Sequence, residues 1–249
     1  MDNTEKEQLT QSGQDFCNQG ADFNHRRIYS NALEAYNKAE TCFMQVKDHK
    51  WLNFVHHEKV QILRNMGNTE PALDLVEGVI EAYILAKDNK GLSLALTHKA
   101  NILMDQQKNL DALSTLRLAK NVAEENKIIE SIGYIYSTMS INFWEMENYI
   151  AAMESLNKAL SYYPPEQSPH EAAWCYHYLG LSYKAIYFYP KAEEFLERSY
   201  QTYLKIRDLQ SAIPPMENLR KLYDTSGQKE KSRHLQQIML QTGKLNTSR

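Results

Sequence analysis

Apolar and small residues recur along this chain at offsets of 3, 4 and 7, the spacing of one face of an α-helix. The whole pattern then returns every 40 residues. Ala32, Ala72, Ala112, Ala152 and Ala192 stand at that interval with no insertion or deletion between them. Four residues after each come Tyr36, Val76, Leu116, Leu156 and Leu196, and seven after come Ala39, Val79, Ala119, Ala159 and Ser199. Nine before each stand Phe23, Leu63, Leu103, Phe143 and Tyr183. Twelve before stand Gly20, Val60, Ala100, Ser140 and Gly180, and sixteen before stand Phe16, His56, Leu96, Tyr136 and Tyr176. Two helices joined by a short turn account for each unit. The small side chains let the two approach to about 8–10 Å, and the large ones a turn away fill the adjacent grooves.

Boundary signals keep the same beat. Asp48, Asp88, Ser168 and Asp208 fall where successive first helices should begin, with side chains able to accept from free N–H groups of the first turn. Ser168, Pro169 and Glu171 have the spacing of a capping box with proline at the first helical position. Ile128 interrupts the series, so that start is capped by Asn126 or left open. Pro164 should end its helix, because proline has no N–H to continue one. The pattern predicts an all-α fold, a solenoid of about six helix-turn-helix repeats. A flexible N-terminus is expected over 1–12. The repeats follow over 13–241 (about 13–52, 53–92, 93–132, 133–172, 173–212 and a polar capping unit, 213–241), with a flexible tail over 242–249.

These residues resemble the tetratricopeptide repeat (TPR), whose first helix carries an aromatic, Leu-Gly and Tyr, and whose second carries Ala, Phe and Ala before a closing Pro. The best copy is Tyr176, Leu179, Gly180, Tyr183, Ala192, Leu196 and Ser199. The next is Tyr136, Met139, Ser140, Phe143, Ala152, Leu156, Ala159 and Pro164. The resemblance spans about residues 13–241. The period is six residues longer than the usual 34, and Lys59 and Lys99 stand where the family has Leu. Long units of this kind are similar to those of kinesin light chains and bacterial peptide-pheromone receptors.

The resemblance implies a right-handed superhelical solenoid with a concave wall lined by the first helices, and residues one turn off the core face should project into it. They are Phe54, His57, Gln61 and Arg64; Leu94, Thr97, Asn101 and Met104; Tyr134, Ser137, Ile141 and Trp144; Trp174, His177, Leu181 and Lys184. Amides there can pair with the backbone of an extended peptide, and Trp and Tyr supply contact area at low entropic cost. The expected function is a non-enzymatic protein- or peptide-binding scaffold or adaptor. The alternative is a peptide-sensing regulator whose superhelix changes shape. Chaperone-binding relatives grip a terminal carboxylate with a basic and amide clamp. The matching positions here hold Cys17, Ala21, His57, Leu94 and His98, so a chaperone tail is not the expected ligand.

Composition narrows the classes. A net charge of −3 with scattered Lys and Arg is no nucleic-acid footprint, since that takes a basic stripe. An RNA-reading repeat and self-assembly through the ends rank below the groove. The eight His form no HExxH, and Cys175 with His177 make at most half a metal site. Neither a phosphate loop nor a GxSxG elbow occurs. No catalysis, cofactor or metal is expected. The repeats begin almost at the first residue, so the catalytic bundle of the pheromone-regulated phosphatases and the DNA-binding domain of related regulators are not expected either. Three cysteines, a polar start and no long apolar run point to a reduced, cytoplasmic setting, without nucleic acid or membrane as partner.

Overall fold

The computed structural model describes residues 2–247, with side chains to Gln241. It contains twelve helices and, among the described residues, no strand. The helices are α1 (Asn3–His25), α2 (Tyr29–Val46), α3 (His49–Asn65), α4 (Thr69–Ala86), α5 (Asn89–Asp105), α6 (Asn109–Glu125), α7 (Ile129–Glu145), α8 (Tyr149–Tyr162), α9 (Pro169–Ala185), α10 (Tyr189–Lys205), α11 (Leu209–Thr225) and α12 (Lys229–Thr247). They divide into two compact units, Met1–Lys127 with α1–α6 and Ile128–Arg249 with α7–α12. In each unit, every odd-numbered helix packs against the even-numbered helix that follows it, and successive pairs pack on one another.

The alanines at the 40-residue interval are all fully buried. Tyr36, Val76, Leu116, Leu156 and Leu196 are also sealed, at no more than 1% exposure. The close approach is visible at two glycines. A Cβ on Gly20 would come within 2.8 Å of the Tyr36 ring, and one on Gly180 within 2.7 Å of Leu196. Where Ser199 replaces the usual Ala, it is fully buried, and its hydroxyl donates to the Ala173 carbonyl at 2.7 Å. The buried polar group is thereby satisfied.

The period extends to the backbone. Arg27, Gly67, Gln107, Glu147, Tyr187 and Gly227, each 40 residues apart, have positive φ and end the odd-numbered helices. Lys47, Lys87, Lys127 and Arg207 do the same after even-numbered ones. Typical closing bonds run from Ile28 N to Phe23 O at 2.8 Å and from Arg27 N to Asn24 O at 2.9 Å. A left-handed conformation costs a non-glycine residue about 1–2 kcal/mol. The repeated turn imposes it regardless of residue type. Among the described residues the series breaks at α8, which stops at Tyr162 before Pro164 and Pro165.

Caps form at Asp48, Asp88 and Asp208, whose carboxylates accept from Trp51 N, Gly91 N and Ser211 N at 3.2, 2.9 and 3.0 Å. Ser168 occupies the cap position of α9 but makes no side-chain bond, so the expected capping box does not close. The start of α7 at Ile128 is open. Helix α1 begins at Asn3, capped by Asp2, so residues expected to be loose are helical; Gly13, just past them, is buried against Phe43. The helical backbone continues through the expected tail to Thr247, and the last two residues lie outside the described ones.

One feature departs from helix chemistry. Pro214 and Pro215 lie inside α11, past the first turn where a missing N–H is harmless. An interior proline costs about 3 kcal/mol.

Candidate functional site

The odd-numbered helices keep one face free of their even-numbered partners, and the expected binding residues were assigned to it. In the first unit that face is largely self-paired. His57 Nδ1 and His98 Nε2 are 2.7 Å apart, linking α3 to α5. One turn or two along α3, Arg64 donates through Nε and Nη2 to the Asp105 carboxylate, the latter at 2.9 Å, and through Nη1 to Gln61 Oε1 at 3.2 Å. Burial pushes the His98 imidazole down to about 3, helped by His57 and Arg64. It also lowers His57, against the pull of Glu58. Both rings are neutral at pH 7, so one must donate and the other accept.

Helix α5 offers little to a ligand. Thr97 is fully buried, with its hydroxyl turned back to the Ser93 carbonyl at 2.8 Å, and Asn101 and Met104 are each 7% exposed. Eleven residues of this 17-residue helix are buried, so the periodicity assigned a free face to a helix that is enclosed around most of its circumference. Phe54 does project, at 40% exposure, and meets Trp51 and Tyr36 edge-on. A narrow crevice beside it is lined by Asn53, His56, His57, Tyr83, Leu94 and His98 among others. His56 there bonds Glu40 at 2.8 Å, and Glu40, also paired with Lys59, is held down at about 2.

In the second unit Ser137 is buried and bonds the Gly133 carbonyl at 3.0 Å, so it too is withdrawn. Tyr134, Ile141, Trp144, Trp174, His177, Leu181 and Lys184 remain half-buried. Trp174 leans on Tyr178, ring centroids 4.3 Å apart, and Trp144 meets Tyr149 edge-on at 6.1 Å. Asn218 Nδ2 donates to His177 Nε2 at 3.1 Å and to the Pro214 carbonyl at 3.0 Å, linking α9 to α11. Burial lowers His177 to about 4, which keeps the accepting nitrogen unprotonated.

Sequence reasoning missed the partners Asp105, His98 and Asn218. Each lies 41 residues beyond the residue it bonds. The parallel helices are offset by one position, so a search at 40 passes them by.

The face presents aromatic rings and hydrogen-bonding groups, and its neighbourhood holds no activated thiol. Burial raises the Cys17 thiol to about 11 and Cys175 to about 12, so both are protonated and poor nucleophiles at neutral pH. Among the described residues no group of three or more His, Cys, Asp or Glu is placed to hold a metal ion. Nor, among those residues, is any helix long and apolar enough to cross a membrane.

No protein-family model matches the chain, and no curated protein matches it. Solved structures do. BtubC (BKLC) from P. vanneervenii superposes with a TM-score of 0.70 at 16% identity, over 94% of this chain and 93% of that one. A Rap protein complexed with Competence and Sporulation Factor gives 0.67 at 13% identity, over 94% and 75%. A putative kinesin light chain from Podosopora anserina with nearly identical TPR-like repeats gives 0.63 at 16% identity, over 78% and 95%. The chain has the all-α, TPR-like repeat fold.

Proposed function

We propose that this chain is a non-enzymatic scaffold that holds a peptide or a segment of a partner protein on the free face of its odd-numbered helices, chiefly α7, α9 and α11. The observation that carries this reading is the half-exposed aromatic set Tyr134, Trp144, Trp174 and Tyr178, interspersed with the neutral His177–Asn218 pair. Part-exposed aromatic side chains gathered on one face are costly without a partner. Aromatic anchors beside amide and imidazole groups are the usual make-up of a binding hot spot. The TPR-like fold supports the same class, since the Rap protein with this fold is found in complex with a peptide factor. Three buried free thiols agree with a cytoplasmic setting.

A peptide-sensing regulator is the second reading, favoured by the likeness to that complex over 94% of the chain. It requires a change of shape on binding. Small-angle scattering curves that superimpose with and without bound peptide would sink it.

The test of the scaffold is selection from an immobilised random peptide library by the wild type and by Trp174→Ala. Peptides retained by the wild type and lost by the variant, with helix content equal, are the expected result. Equal retention moves the binding surface off this face.

A further inference from the structure

Helix α4 buries Ala72, Val76, Val79 and Tyr83 against the core of the first unit. A second apolar line runs along the same helix through Pro71, Leu75, Gly78, Ala82 and Leu85. Its alternating steps of four and three are the seam of a helix that packs on another helix. At about 100° per residue the seam lies about 110° around α4 from the buried side. Leu75 is half-buried and the other four are exposed. Leu85, at 85%, is the most exposed large apolar side chain among the described residues.

Gly78 stands in the middle of both the seam and the helix. A Cβ on Gly78 would meet nothing within 4 Å, so the chain's own packing does not call for glycine there. An interior glycine weakens a helix relative to alanine. What Gly78 and Ala82 do permit is the approach of another helix axis to about 8 Å.

Charge selects the occupant. Beside the seam, about 160° from the buried side, run Glu70, Asp74, Glu77 and Glu81. Alone among the even-numbered helices, α4 has no Lys, Arg or His. Glu77 is paired with Lys99 at 2.8 Å, whereas the exposed Asp74 and Glu81 have no ion-pair partner among the described residues. Glu70 and Asp74 are four apart, as are Glu77 and Glu81, and like charges at that spacing repel. A second copy of α4 would add four more carboxylates and no cation. A helix with a matching apolar line and Lys or Arg on one flank would cover Leu85 and neutralise the row.

We propose that the outer seam of α4 docks a basic amphipathic helix of a partner protein, about four turns long. Its apolar line covers Pro71 to Leu85, and its Lys or Arg side chains face Asp74 and Glu81. The surface lies in the first unit and does not depend on the peptide face proposed for the second.

The test titrates the full chain with a synthetic lysine–leucine helix whose leucines follow the same four-and-three spacing. Saturable one-to-one binding, with added hydrogen-exchange protection over 71–85, is the expected result. A glutamate–leucine helix of the same pattern should bind at least tenfold more weakly, and so should a scrambled lysine–leucine peptide. Gly78→Leu blocks the close approach at an exposed site and should weaken the lysine helix at least tenfold with helix content unchanged. Asp74→Lys/Glu81→Lys should reverse the preference in favour of the glutamate helix. Glu125→Lys/Glu154→Lys makes the same change of net charge at exposed positions on α6 and α8 and should bind as the wild type does. Absence of saturable binding, equal affinity for the scrambled peptide, or equal losses in the two charge variants would each overturn the proposal. Sedimentation showing a dimer that Gly78→Leu abolishes would overturn it too, by giving the seam to a second copy of this chain.

Discussion

His57 and His177 occupy the same place in their repeats, 120 residues apart, and each bonds the next odd-numbered helix, through His98 in one unit and Asn218 in the other. Five positions around that shared bond differ. Arg64 has its counterpart in Lys184, but the carboxylate of Asp105 is replaced by Thr225, so the second unit lacks the ion pair that closes the first. Glu58 is replaced by Tyr178, which leans on Trp174 where the first unit has Phe54. Leu94 is replaced by Pro214. One repeat pattern thus yields a first-unit face tied by a histidine pair and an ion pair, and a second-unit face tied by a histidine–amide bond beside the half-buried Trp174–Tyr178 pair.

Acid should produce the largest effect common to both units. His98 and His177 are held at about 3 and about 4 in the fold, against roughly 6.5 for a free imidazole. Between pH 6.5 and 4 the unfolded chain binds protons that the native chain refuses, so stability is full above about 6.5 and falls as pH drops. The slope approaches about 1.4 kcal/mol per pH unit for each group. Glu40, held near 2, adds a further loss below about 4.5. Denaturant midpoints at pH 7, 6, 5 and 4 check this, and a flat profile would contradict the neutral buried pairs.

Overpacking the shared frame comes next. Ala112→Leu in the first unit and Ala192→Leu in the second should each cost about 1–3 kcal/mol, because both sites are sealed. Equal thermal midpoints for variant and wild type would place the helix contact elsewhere.

The ion pair then separates the units. Arg64→Ala should cost about 1 kcal/mol, discounted because Asp105 is 35% exposed, whereas Lys184→Ala should stay within about 0.5 kcal/mol. Similar losses in chemical denaturation would erase the distinction. The smallest effect is a gain. Thr225→Asp offers Lys184 the carboxylate that Asp105 gives Arg64, and should add a few tenths of a kcal/mol that 1 M salt removes.

The frame was legible in the sequence because it depends on a repeated size pattern. Five alanines in register cannot be satisfied by many folds, and all five are buried as the pattern requires. The face was only partly legible. Phe54, Trp174 and Lys184 are at least part-exposed where the spacing put them, whereas Thr97, Asn101, Met104 and Ser137 are enclosed. Helical periodicity tells which side of a helix meets its partner in the same repeat. It does not tell how much of the remaining side is covered by the rest of the chain. Similarly, the serine at 168 has the letters of a cap without the bond.

The most direct test of the account is hydrogen–deuterium exchange of the wild-type chain alone and saturated with a peptide retained from the random library. Added protection concentrated in α9 and α11, with α3 and α5 little changed, is the predicted result. Protection confined to the even-numbered helices, or to α3 and α5, would contradict the claim that the second unit's open aromatic face is where this protein binds.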